Sequence, residues 1–332
     1  MQNRTSLFLS ILLGFNLFFS GCGSSKPQVP KKVDTPKWVK IQPNDTSAFT
    51  YGIGIDKTRE DALKSALNDV ISKLGIKVES SFTNKQIVDG YYSKSISTSD
   101  IKTDVAKIRI TNYKIEKSHR ISYREYAVLV KVDNKKFFNT LKQDIDQIKK
   151  DIETKLEESA DSDAITRYNI KKKMSKECER LLSNSLVAYE LNKSFNKNKY
   201  FNFVSDVKES YYSEANSLRF FISADKNSKD FAQVIKRQLI DNGFSVTNNK
   251  NLKAVIIKLN TTDNIASAQK IVTIKLNIKV TDEQKNVGSN TLVLKERLKK
   301  SKSSIYNTAA IHFNQDVAQE GIENILGIGI NK

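Results

Sequence analysis

Residues 49–74 read FTYGIGIDKTREDALKSALNDVISKL, and this stretch decides how the first part of the chain folds. Phe49-Thr50-Tyr51-Gly52-Ile53-Gly54-Ile55 alternates with the period of a strand. Thr58 follows as an N-cap with Asp61 three residues on, close to a capping box. Ala62, Leu63, Ala66, Leu67, Val70, Ile71 and Leu74 then share one face of a helix, and the small Ala62 and Ala66 let that face lie close on a sheet. Gly75 is expected to cap the helix, with Ile76 to Phe82 alternating as a second strand. The polar stretch from Thr83 to Asp104 reads as the end of a long hairpin. Ile108, Ile110 and Ile115 predict a third strand, and Tyr126, Val128, Val130 and Val132 a fourth, around a turn at Lys117 to Ser122. That order is expected of an α+β sheet with helices on one face.

Further along, Phe137, Leu141, Ile145, Ile148, Ile152 and Leu156 step by threes and fours. So narrow a seam suits an antiparallel helical hairpin. Its partner is Ile170 to Leu191, after a turn at Ser159 to Asp163, and a third helical piece spans Tyr200 to Ala215. An intermolecular coiled coil competes with this reading, but three such pieces can satisfy one another within one chain. From Leu218 the pattern returns to strands: Phe220-Phe221-Ile222, then a helix through Phe231, Val234, Ile235 and Leu239 stopped by Asn242-Gly243. Phe244 to Val246 and Ala254 to Leu259 follow. Ile271 to Val280 pairs across Asp282-Glu283-Gln284-Lys285 with Val287 to Leu298, and Ile305 to Leu326 closes as one helix. The predicted fold is α+β: two small sheet-plus-helix domains, residues 37–135 and 217–332, separated by an antiparallel helical segment, residues 136–216.

The other decisive stretch is at the start. Arg4 precedes an apolar run from Leu7 to Phe19, and Phe19-Ser20-Gly21-Cys22 closes it with small residues before a cysteine. This resembles a bacterial lipoprotein signal, 1–21, with Phe19 where Leu is usual. The resemblance implies that Cys22 is diacylated on its thiol, becomes the new N-terminus, and is acylated there too. Thirteen residues are too few for a membrane-spanning helix, which needs about 20. One acyl chain holds reversibly at ~0.8 kcal/mol per buried methylene; three would hold for practical purposes permanently. Gly23 stands where the retention signal of enteric inner membranes places Asp, so the outer membrane is the expected destination, with the body facing the periplasm or the surface. Residues 22–36, polar and holding Pro27, Pro30 and Pro36, read as a tether.

Of 332 residues, 39% are hydrophobic and 28% charged, the composition of a folded body. Removing the leader takes only Arg4, leaving 54 Lys and Arg against 37 Asp and Glu. In the cytoplasm that excess would suggest nucleic acid; export removes that partner and leaves anionic lipid, lipopolysaccharide and cell wall. With Cys22 acylated, Cys178 has no intramolecular disulfide partner, and with Met174 and Leu181 at helical spacing it reads as a buried structural thiol.

Pro36-Lys37-Trp38-Val39, Tyr51-Gly52-Ile53-Gly54 and the Ala62/Ala66 helix together resemble the Lpp-twenty lipoprotein family of spiral Gram-negative bacteria, over roughly residues 36–135. Membership implies an antigen, envelope component or flagellar assembly part without enzymatic activity. The C-terminal pattern is similar only in fold to the periplasmic domains of lipoproteins that activate a cell-wall synthase, which gives an alternative function. Gly52 and Gly54 do not complete a dinucleotide fingerprint, because Lys57 stands where the third glycine belongs. His119, in the expected turn, and His312, in the closing helix, lack the third ligand a zinc site needs. No nucleophile–base motif is evident. No catalytic residue, cofactor or metal is therefore expected, and the predicted partners are the membrane, through Cys22, and envelope proteins or the cell wall.

Overall fold

The computed structural model describes residues 35–82, 103–249, 252–299 and 301–329. The leader 1–21, Cys22, nearly all of the tether and the hairpin end at 83–102 lie outside the described residues. Within them the fold is α+β, with one three-stranded and one five-stranded sheet.

A single helical turn, α1 (Lys37–Lys40), precedes β1 (Phe49–Asp56) and α2 (Arg59–Phe82). Thr58 caps α2 as expected, its Oγ1 accepting from the Asp61 amide at 3.0 Å and donating to Asp61 Oδ2 at 2.8 Å. β1 pairs antiparallel with β3 (Glu125–Asp133), and β3 with β2 (Tyr113–Ser122), in the order β1-β3-β2. The two glycines of β1 decide how α2 sits on it. A Cβ on Gly52 would lie 2.1 Å from the Ala66 carbonyl oxygen, and one on Gly54 2.1 Å from that of Ala62. Strand and helix therefore meet backbone to backbone, the close approach for which a strand glycine is suited. The free edge of β1 is occupied by side chains: Gln42 and Lys73 donate to the Tyr51 carbonyl, while Asp45 and Asp69 accept from the Tyr51 and Ile53 amides. An edge so satisfied cannot add another strand there.

Three expectations for this part are corrected. Gly75 does not cap α2; the helix runs on to Phe82, so Ile76 to Phe82 is not a strand. Helical period overrides the short alternation, because Val78 is one turn beyond Leu74 on the buried face while Ile76 is 58% exposed. Ile108 and Ile110 are not in a strand either: backbone turns join Asp104 to Lys107 and Val105 to Ile108, and Val105 and Ile110 are buried in the core. Nor is there a turn at Lys117 to Ser122. β2 continues to Ser122 with register shifts at Ile115/Lys117 and Arg120/Ser122, which blur its alternation, and the chain reverses at Tyr123-Arg124.

The helical hairpin forms as expected, from α3 (Asn134–Glu158) and α4 (Ala164–Leu191), capped by Asp133 and Asp163, with α5 (Lys197–Ser217) alongside. One continuous apolar core joins α2 and β3 to Phe137, Leu141 and Ile145 of α3, Cys178 and Leu181 of α4, and Val204 of α5. A second core holds the rest of the chain and takes in Ile165 and Tyr168, at the start of α4. At 1.5 Å per residue, the 28 residues of α4 span about 42 Å and bridge the two.

The second core is built on a sheet ordered β5-β4-β6-β7-β8: β4 (Arg219–Ala224), β5 (Ser245–Thr247), β6 (Val255–Ala266), β7 (Ile271–Asp282) and β8 (Lys285–Arg297). β4 is parallel to β5 and β6, and the others pair antiparallel. Between β7 and β8, Glu283 and Gln284 both take positive φ, 46° and 73°, inside the predicted turn, the pattern a two-residue hairpin needs. Helices α6 (Lys229–Asp241) and α7 (Lys302–Glu320) bury Phe231 and Phe313 against the sheet and each other, ring centroids 5.5 Å apart. The closing helix is not single: Gly321, at φ 86°, ends α7, and the short α8 (Ile322–Ile325) follows.

Candidate interaction surfaces

The one modification site read from the sequence, Cys22, lies outside the described residues. Cys178 is fully buried, and burial pushes its thiol up to about 12, so it stays protonated and unreactive. His119 stands in β2 rather than in a turn, its Nε2 buried without a hydrogen-bond partner. His312 Nδ1 lies 2.6 Å from Glu296 Oε1. No group of three His, Cys, Asp or Glu that could hold a metal occurs among the described residues. Gly52 and Gly54 pack against α2, as a structural reading of the pair requires.

Three surface features have definite chemistry. A shallow groove of about 790 Å³ lies where the β2–β3 tip meets the start of α2, lined by Lys57, Thr58, Arg59, Glu60, Arg120, Tyr123, Arg124 and Tyr126. Arg120 donates from Nε to the Ser122 carbonyl and from Nη2 to that of Tyr123, both at 3.2 Å. These two bonds hold its guanidinium 5.6 Å from the ring centroids of both Tyr123 and Tyr126, within cation–π range. Tyr123 projects from the tip, 82% exposed. The acids nearby are engaged: Asp56 accepts from the Lys57 amide and Ser65, Asp61 from Thr58 and Lys64, and Glu125 from Ser122. Asp61 is accordingly held below the usual carboxylate range, chiefly by Thr58 and then by Lys64.

A cleft of about 470 Å³ lies among residues 104–111, α3 and α4. Its bases, Lys107, Arg109, Lys176 and Arg180, are matched by Asp104, Asp144, Glu177 and Glu179. Asn184 at its wall is 6% exposed.

The third feature ties α4 and α5 to the second core. Asp282 Oδ2 accepts from the Ala164 amide at 2.8 Å, and Glu214 takes both Arg167, at 3.1 Å, and Lys171, at 2.7 Å. Tyr168 donates to Glu323 at 2.6 Å, which also holds Lys172 at 2.5 Å. Burial and the Glu323 carboxylate both raise the Tyr168 phenol, which stays a donor. Satisfied charges of this kind fix a junction rather than bind a ligand.

Sequence reading missed the groove, because it placed a turn across Lys117 to Ser122 and overlooked Tyr123-Arg124. A signal was available in Arg120, Arg124 and Arg59, since only ten of the 55 basic residues are arginine.

Among the described residues no helix is long and apolar enough to cross a membrane. No protein-family model matches the chain, and no curated protein does. Several solved structures resemble it. The secreted protein HP1454 from Helicobacter pylori is 13% identical at a TM-score of 0.49, over 85% of this chain and 99% of that one. A minor lipoprotein from Acinetobacter baumannii is 12% identical at 0.26, over 32% and 93%. Rare lipoprotein B from Shewanella oneidensis is 10% identical at 0.21, over 32% and 98%. A secreted protein and lipoproteins thus stand among the structural neighbours, at a similarity too low to assign a role.

Proposed function

We propose that this protein is a non-catalytic component of the bacterial cell envelope, moored to the outer membrane by acyl chains on Cys22 and working through contacts with envelope proteins or the cell wall. The observation that carries the reading is Phe19-Ser20-Gly21-Cys22 at the end of a short apolar run with a basic start. The two cores bridged by α4 give the body two separately folded parts, a layout that suits an adaptor. The test is metabolic labelling with radioactive palmitate in the native host. The intact chain should take up label and fractionate with membranes, and the Cys22→Ser chain should do neither. Persistent labelling of Cys22→Ser would refute the site.

A further inference from the structure

Three of the chain's ten arginines line one groove at the β2–β3 tip, in a protein whose basic residues are mostly lysine. Lys57, Arg59 and Arg124 form no ion pair among the described residues, and Glu60 is the groove's one acid. Arg120 uses two of its five N–H donors on backbone carbonyls and keeps the others for a ligand. We propose that this groove docks the folded body onto an anionic lipid surface, with the guanidinium groups engaging headgroup phosphates and the Tyr123 ring entering the interface. Planar guanidinium forks match phosphate oxygens bidentately, which lysine cannot do. An exposed tyrosine beside them is what a bilayer boundary favours, since its ring enters the apolar layer while its hydroxyl stays among headgroups. A soluble polyanion would use the arginines but has no need of the exposed Tyr123 ring beside them.

The choice of lipid over another anion rests on the anchor reading. Thirteen residues from Cys22 to Thr35 reach at most about 45 Å. Gln42 is bonded to Tyr51, and from there to Asp56 is five strand residues, or roughly 17 Å. Acyl chains and groove can therefore touch one bilayer together. The groove adds what the acyl chains lack, a fixed orientation of the body on the membrane.

The test uses the unacylated chain from Gly23 onward, which keeps every described residue and is independent of lipidation. Its partition onto sedimented vesicles is compared for phosphatidylcholine alone and for phosphatidylcholine mixed with phosphatidylglycerol. Binding is expected only to the mixed vesicles and should be lost in high salt. Arg120→Gln with Arg124→Gln should lower the partition by on the order of 30-fold, roughly fivefold for each cation near the surface, and Tyr123→Ser should lower it again. Lys258→Gln with Lys275→Gln removes the same charge from the far sheet and should change it no more than a few-fold. Matching melting curves would show that the variants are folded. Equal losses in the two pairs would reduce the effect to net charge and overturn the proposal. So would binding to neither vesicle, equal binding to both, or binding to an acidic peptide or oligonucleotide without vesicle binding.

Discussion

Replacing Gly54 by Ala adds one methyl group at the point where strand and helix touch. The new Cβ would fall 2.1 Å from the Ala62 carbonyl oxygen, 2.3 Å from the Ala66 amide nitrogen and 2.8 Å from the Ser65 carbonyl carbon. All three are backbone atoms, so no rotamer change relieves the overlap. Restoring the 3.4 Å of ordinary contact requires β1 and α2 to separate by about 1.3 Å. A gap of 0.5–1 Å already forfeits a quarter to a half of the dispersion well, and Ala62, Ala66 and Val70, all fully buried, lose contacts together. Overpacking ordinarily costs about 1–3 kcal/mol; a clash against immovable backbone belongs at the upper end, so roughly 3 kcal/mol is expected. Urea unfolding followed by circular dichroism measures it as a lowered midpoint at unchanged slope. Gly75→Ala is the internal control. Among the described residues the Cβ there meets only Val105 Cγ1, at 3.7 Å, on a helical backbone of ordinary φ, so the substitution should stabilise by up to about 1 kcal/mol. An unchanged midpoint for Gly54→Ala, or a loss for Gly75→Ala, would refute the description of β1 on α2.

Three further outcomes are expected. Asp225 is pushed up by burial, but the amides of Thr261, Ser228 and Asn227, with the Ser228 hydroxyl, outweigh this and hold it below its ordinary 3.8. A carboxylate lowered on folding contributes stability that is complete above that ordinary value and is lost as the pH falls through the folded one. Asp225→Asn should therefore flatten the loss of stability below about pH 4, read from melting temperature against pH. Tyr168→Phe removes the 2.6 Å bond from α4 to Glu323 of α8 and should cost about 1.5 kcal/mol in chemical denaturation. Cys178, raised to about 12 and buried in the first core, should react with a thiol reagent only at the rate of unfolding. Rapid labelling of the native protein would place it elsewhere.

Where an element buries one face over several turns, its period was plain in the letters. The stripe on α2, the seam of α3 and the alternation of β7 are of this kind, and each occurs in the fold. What stayed hidden depended on a neighbour distant in sequence. Gly75 reads as a stop because glycine costs a helix stability, but the stretch after it is held by burial of Val78 in the core. Ile108 and Ile110 read as a strand because isolated apolar residues carry no period, and they serve instead as plugs between turns. The β2–β3 reversal at Tyr123-Arg124 has neither glycine nor proline to announce it. The groove shares that difficulty: its residues come from positions 57–60 and 120–126, and only the pairing of β1 with β3 brings Asp56 opposite Tyr126.

Mass spectrometry of the amino-terminal peptide from protein isolated from its native membrane tests the account most directly. The account predicts a mature chain that starts at Cys22 and carries the added mass of fatty acyl chains. A chain that retains Met1, or one that starts at another residue without fatty acid, would contradict it.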